Sequence, residues 1–288
     1  MPNIRAPRRG SLQFWPRKRS KRSFARVRTW NENENKVLGF AGYKVGMSHV
    51  GISNKFNAVT IIECPPLKVL GIRYYKYGTK PGVVSDVYAE NLGKEPADFD
   101  DIKLLVNAQP KLVSIGKKKP EAFEIGIGGK KEDKINLSKN LLGKEIKVGD
   151  VFKKGHYVDV HSVTKGKGFQ GTVKRFGVAI RQHKSEKTKR GIGALGSWTP
   201  KRVEFTVPQP GKMGYHLRTE FNKLIIDINK EKINPKSGFP NYGIIKNDCI
   251  LIKGSIAGSR KRLIIMTEPM RNSRKPADVN LDYIAIEK

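Results

Sequence analysis

Two stretches of this chain carry so much like charge that neither can build a core by itself. Between Met1 and Trp30 the cations are Arg5, Arg8, Arg9, Arg17, Lys18, Arg19, Lys21, Arg22, Arg26 and Arg28, with no acid among them. From Lys165 to Arg218 they are Lys165, Lys167, Lys174, Arg175, Arg181, Lys184, Lys187, Lys189, Arg190, Lys201, Arg202, Lys212 and Arg218, opposed by Glu186, Glu204 and, just beyond, Glu220. Both have too little apolar surface to offset their ordering entropy. Over 288 residues the formal net charge is +31, which destabilises a compact chain unless counter-charge arrives from outside. A long polyanion is the natural source. An anionic membrane is the rival, but there is no apolar run of 18 residues and no signal-peptide core. Three prolines and no amphipathic period argue against reading the arginine-rich start as a transit peptide.

Isolated aromatics and glycines accompany the cations. Phe14, Trp15, Phe24 and Trp30 punctuate the first tract. In the second, "RGIGALGSWTPKRVEF" (residues 190–205) sets Trp198 among glycines and cations with no aliphatic wall nearby. Lys and Arg neutralise phosphates, glycine allows close backbone approach, and aromatic rings stack on unpaired bases. RNA offers such bases more readily than duplex DNA. His183 and His216 lie inside the second tract, where stacking or donation to phosphate suits them better than general-base work. The competing reading is that Trp198 folds back as ordinary core.

Between the tracts the chain reads as short β-branched strands: "KVLGFAGYKVGMSHV", "FNAVTIIECPP", "KVLGIRYY", "YVDVHSV", "KLIIDI", "DCILIKGSI" and "KRLIIMTE". Helices are expected at Glu132–Leu142 and, more weakly, in "PADFDDIKLLVNA". The fold class is mainly β: a closed barrel of residues 37–76 and 143–288, with a small α/β insertion at 77–142. Basic extensions occupy 1–36 and 165–222. The acid-rich run from Asp86 to Asp101, with Glu90, Glu95, Asp98 and Asp100 against Lys94, should face solvent or a basic protein.

Catalytic constellations do not assemble. "GKGFQGTV" (166–173) fits the glycine-rich loop of kinases and "VAIR" follows, but no H-R-D or D-F-G accompanies them. It is not a dinucleotide fingerprint either, since no helix pattern opens at Thr172. His49, His156, His161, His183 and His216 match no metal spacing, and His156 and His161 read as surface residues. Cys64 and Cys249 are far apart and read as buried thiols in a reducing compartment. A DNA-compacting protein should show a basic helix or apolar wedges. An RNA-modifying enzyme should show a cofactor pocket and a dyad. Neither pattern is present, so no enzyme, cofactor, metal or small-molecule substrate is expected.

Several segments together resemble the universal large-subunit ribosomal protein number three family in its archaeal or eukaryotic form. They are "APRRGSLQFWPRKRSKR", "GFAGYKVGMSHV", "VTKGKGFQGTVKRFG", "KRGIGALGSWTP", "GKMGYHLRTEFNK" and "NYGIIKNDCILIKGSIAGSRKRLI". They cover nearly the whole chain in order. The resemblance implies a six-stranded translation-factor-like barrel and two extensions running into rRNA, with Trp198 at the tip of a finger directed towards the peptidyl transferase region. It also implies cytoplasmic residence in the large subunit, binding near the 3′ end of its rRNA, early assembly, and large-subunit proteins fourteen and twenty-four-e as neighbours. The residues expected to meet RNA are Arg8, Arg9, Trp15, Arg17, Lys18, Arg19, Lys21, Arg22, Lys165, Lys167, Phe169, Lys174, Arg175, His183, Lys189, Arg190, Trp198, Lys201, Arg202, His216 and Arg218. Three departures stand out. The insertion is shorter than the eukaryotic one, which favours an archaeal source. Lys189 occupies the place of a methylatable histidine. No long tail follows Lys288.

Overall fold

The computed structural model describes residues 8–31, 34–79, 82–90, 95–229, 233–271 and 276–285, so Arg5 and Lys94 lie outside the described residues. The chain divides into two compact units. The larger comprises Arg22–Ser162 with Arg218–Lys288; the smaller, Met1–Lys21 with Val163–Leu217. The strands are β1 (Gly39–Ile52), β2 (Lys55–Glu63), β3 (Leu67–Lys76), β4 (Gly82–Tyr88), β5 (Asp101–Asn107), β6 (Ala122–Gly126), β7 (Glu145–Ile146), β8 (Tyr157–Val163), β9 (Phe169–Gln170), β10 (Gly211–Lys212), β11 (Leu217–Asn229), β12 (Cys249–Lys253), β13 (Leu263–Thr267) and β14 (Leu281–Ile284). The helices are α1 (Lys131–Leu141), α2 (Val148–Val151) and α3 (Thr172–Phe176).

The protein is mainly β. Its largest sheet has seven strands in the order β13-β8-β11-β12-β2-β1-β14, with a further pairing of β13 to β1. Strand β1 serves three neighbours: β2 along most of its length, β13 from Gly39 to Tyr43, and β14 from Val50 to Ile52. The pairings from β13 round to β1 return to β13, while β14 is added outside that circuit; the assembly is a large sheet rather than a clean barrel. β1 and β2 join through Ser53 and Asn54, both at positive φ, the geometry of a tight two-residue hairpin. The apolar runs of β12 and β13 are buried almost throughout, as expected for strands covered on both faces.

A second sheet runs β4-β3-β5-β6, with β7 on β3. Two expectations are corrected here. The stretch "KVLGIRYY" is expected in the barrel with the first sheet, but β3 is an interior strand of the second. Pro65 and Pro66 supply no N–H, so the β2 ladder stops at Glu63 and the chain changes sheet. The weaker helix in "PADFDDIKLLVNA" is strand β5. Its Ile102, Leu104, Leu105 and Val106 are all buried, and β5 pairs on both sides, with β3 and β6. A surface helix would have left part of that run wet. The expected helix at Glu132–Leu142 is α1, one residue earlier.

The larger unit satisfies its interior polar groups. Glu63 is fully buried and accepts hydrogen bonds from Tyr242 Oη (2.7 Å), the Lys246 and Asn247 amides (2.8 and 3.0 Å) and Asn247 Nδ2 (2.9 Å). Burial, with the Glu63 carboxylate beside it, pushes the Tyr242 hydroxyl pKa well up. Cys64 and Cys249 are free and buried, and burial raises the Cys64 thiol well above its ordinary value.

The acid-rich run faces solvent at Glu90, Glu95, Asp98 and Asp100, as expected, but several of its acids are paired and Asp101 is buried. Asp86 pairs bidentately with Arg73 (2.7 and 2.6 Å), Asp98 pairs with Lys76, Glu95 with Lys139 (2.8 Å), and Asp101 with Lys134 (2.9 Å), the last pair being buried. The cations of β3 and α1 stand opposite these acids in the fold though far from most of them in sequence. His161, by contrast, is not the surface residue expected. Its ring sits between Thr219 Oγ1 (2.9 Å) and Thr267 Oγ1 (3.1 Å), and burial lowers its pKa against the opposing pull of Asp159.

The N-terminal tract is also less uniform than its charge suggests. Ala25, Val27 and Trp30 are buried in the main core of the larger unit. The Trp30 ring occupies space beside two glycines. A Cβ on Gly39 would stand 2.8 Å from it, and one on Gly126 2.5 Å.

Candidate nucleic-acid interface

The smaller unit brings the rest of the first tract together with the second. Nineteen Lys and Arg face only Glu186 and Glu204 in this unit, which therefore holds more than half of the chain's net charge. Its stem pairs residues 164–170 with 211–216. The Thr164 amide donates to His216 O (2.9 Å), Lys167 to Met213 O (2.9 Å) and Met213 to Gly168 O (2.8 Å), and β9 pairs with β10. Gly214 is required here: its φ is +76°, and an added Cβ would lie 2.0 Å from Lys165 O. Beyond the stem, α3 runs from Thr172 to Phe176 and ends at Gly177 in the left-handed conformation. No helix pattern opens at Thr172 in the sequence, yet the turn is there. One turn forms because Gly177 closes it, but it is too short to show a period.

The N-terminal tract is fastened to this stem by residues that were expected to meet RNA. His216 is buried. Its Nδ1–H donates to Lys18 O (2.9 Å), and its amide donates to Thr164 Oγ1 (3.1 Å). This corrects the phosphate-facing role: the ring is a pin between two segments. Trp15 is half-buried; it packs on Phe176 with centroids 5.0 Å apart, and its Nε1–H donates to Phe205 O (2.9 Å). The Arg17 guanidinium lies 4.1 Å from the Phe176 centroid and donates to Arg175 O. Arg175 Nη1 donates to Gln209 O (2.9 Å), and burial lowers the Arg175 pKa. Arg8 donates to Thr206 O (2.7 Å) and leaves the rest of its side chain exposed.

The remaining cations of the unit are outward. Arg9, Lys18, Arg19, Lys21, Lys165, Lys167, Lys174, Lys189, Arg190, Lys201 and Arg202 are exposed, as is His183. Arg22 and Arg218 belong to the larger unit, the first exposed and the second half-buried, with burial lowering the Arg218 pKa. Trp198 is 83% exposed, with Lys201 Nζ 5.7 Å from its ring centroid, which excludes the core reading. Phe169 is 72% exposed.

Sequence reasoning missed Phe205, which is 78% exposed in the same unit. Its signal was a lone ring three residues after Arg202 in an otherwise polar, proline-broken stretch. Phe205 helps line a cleft of about 380 Å³ together with Trp15, Arg17, Arg175, Phe176 and Glu204. Among the described residues no group of three or more His, Cys, Asp or Glu could hold a metal, and no helix is long and apolar enough to cross a membrane.

Exposed rings, glycines and unopposed cations on one unit of a mainly β chain define an RNA-associated protein. The comparisons make this specific. The family model described as ribosomal protein L3 matches residues 1–98 and 92–287. The large ribosomal subunit protein uL3 of Methanobrevibacter smithii is 42% identical over 97% of this chain and 96% of its own length. That of Nanoarchaeum equitans is 44% identical over 98% and 97%, and that of Picrophilus torridus 43% over 97% and 96%. The chain belongs to the ribosomal protein L3 family. It is of archaeal type, and its place is the large ribosomal subunit in the cytoplasm.

Proposed function

We propose that this chain is a structural, non-catalytic constituent of the large subunit that binds rRNA near its 3′ end early in assembly. In this reading the pairing circuit of the largest sheet is a six-stranded barrel of translation-factor type. Residues 165–222 form a finger directed towards the peptidyl transferase region, and large-subunit proteins fourteen and twenty-four-e are neighbours. Lys165, Lys167, Lys174, Lys189, Arg190, Lys201 and Arg202 neutralise phosphates, joined by Arg9, Lys18, Arg19 and Lys21 from the N-terminal tract. Phe169 and Trp198 offer faces to unpaired bases. The observation that carries the reading is Trp198: its ring is 83% exposed, with Lys201 beside it, in a unit with nineteen cations and two acids.

Trp198→Ala tests it. Loss of one base stack costs roughly 1–3 kcal/mol, a small part of a many-phosphate surface. Subunits carrying the variant should assemble, and the free protein should melt unchanged. Aminoacyl-site tRNA or drug binding should change. A variant that melts much earlier, or ribosomes indistinguishable from wild type, would count against the finger-tip role.

A further inference from the structure

We propose that the cleft lined by Trp15, Phe176 and Phe205 receives one unpaired base of the RNA, and that it takes bases carrying an exocyclic amino group over uracil. The proposal rests on the rRNA-binding reading above and adds to it a defined nucleotide site away from the Trp198 tip. The cleft is large enough for a small ligand, at about 380 Å³. Its walls are unequal. Phe176 is buried and already packed against Trp15 on one side, with Arg17 over its ring. Phe205 is held at its backbone, where its carbonyl accepts from Trp15 Nε1, yet its ring is open to solvent. A ring so exposed, on a backbone held in place, is a ready stacking platform, because the chain that carries it has little order left to lose when a base lies on it.

The charges around the cleft differ in a way that suits a nucleotide. Arg17, Lys18 and Arg175 contribute to its lining, and Lys18 is exposed where a backbone phosphate would pass. Arg175 Nε is buried with no hydrogen-bond partner among the described residues. Of the two acids in this unit, Glu204 is the one that lines the cleft, and Thr206 Oγ1 donates to it at 3.3 Å. A carboxylate here would repel a phosphate, but it accepts from an amino group on a base edge. Adenine, guanine and cytosine present such a group; uracil has none.

The test uses the full chain with oligoadenylate, oligouridylate and an abasic oligoribonucleotide of equal length. Phe205→Ala removes an exposed ring and leaves folding intact. It should weaken oligoadenylate binding by about 5- to 100-fold while abasic affinity, carried by phosphates, stays unchanged. Glu204→Gln, whose amide also donates, should narrow the gap between oligoadenylate and oligouridylate. Equal losses for oligoadenylate and the abasic chain, or no loss for either, would overturn the base site while phosphate binding stood. Failure of all three probes to bind would remove the rRNA-binding reading itself, and this proposal with it. If Phe205→Ala instead releases a neighbouring protein from assembled subunits with RNA affinities unchanged, the cleft holds a peptide and the proposal is wrong.

Discussion

Titrated against large-subunit rRNA, the purified protein should lose affinity by roughly 10³–10⁵ between about 50 and 200 mM salt. Counterion release sets the size of this fall. Each phosphate neutralised by Lys or Arg frees condensed cations, and six to ten such contacts give a slope of that size. The smaller unit offers more than enough donors, since twelve of its predicted cations are exposed while Arg17 and Arg175 are engaged inside it. Only Glu186 and Glu204 oppose them. Filter binding at several salt concentrations reads the slope directly. A flat response would mean that the exposed cations do not meet phosphates.

Trp30→Ala should destabilise the larger unit by about 3–5 kcal/mol, the usual cost of truncating a buried tryptophan. Trp30 is 7% exposed, and glycines at positions 39 and 126 make room for its ring. Those glycines leave no side chain to refill the space, so the cavity cannot close cheaply. Thermal melting of Trp30→Ala beside Trp198→Ala separates the two kinds of tryptophan: a large fall in melting temperature for the first, none for the second. Equal shifts would show that exposure in the structure does not reflect their roles.

The contrast between these residues shows what could be read in advance. Trp198 stood out because its neighbours in sequence are mostly glycines and cations, and in the fold its ring is 83% exposed. Trp30 did not, because the space that receives its ring is made jointly by β1 and by β6, the latter about ninety residues further on. The β-rich character was legible in β-branched runs such as "KRLIIMTE", whose pattern needs no partner to be recognised. Which sheet a strand joins was not, since β3 is assigned by its pairing with β4 and β5 and by the two prolines before it. Within the site, exposed cations such as Lys167 and Arg190 were plain from charge alone. His216 was misread because its partners, Lys18 O and Thr164, are set by the meeting of two segments almost two hundred residues apart. Phe205 was missed for the same reason. A phenylalanine in a loop is unremarkable until the Trp15 indole is found holding its carbonyl.

The central claim is that rRNA is met through the smaller unit. Ultraviolet crosslinking of intact large subunits, with peptides read by mass spectrometry, tests it most directly. Phe56 in the larger unit is 79% exposed and serves as an internal control, because it is as accessible as Trp198 but packs edge-on against Tyr283. The account predicts RNA adducts concentrated in residues 8–21 and 163–217, with Phe169, Trp198 and Phe205 among the modified sites and Phe56 unmodified. Adducts confined to the larger unit, with the smaller one clean, would contradict it.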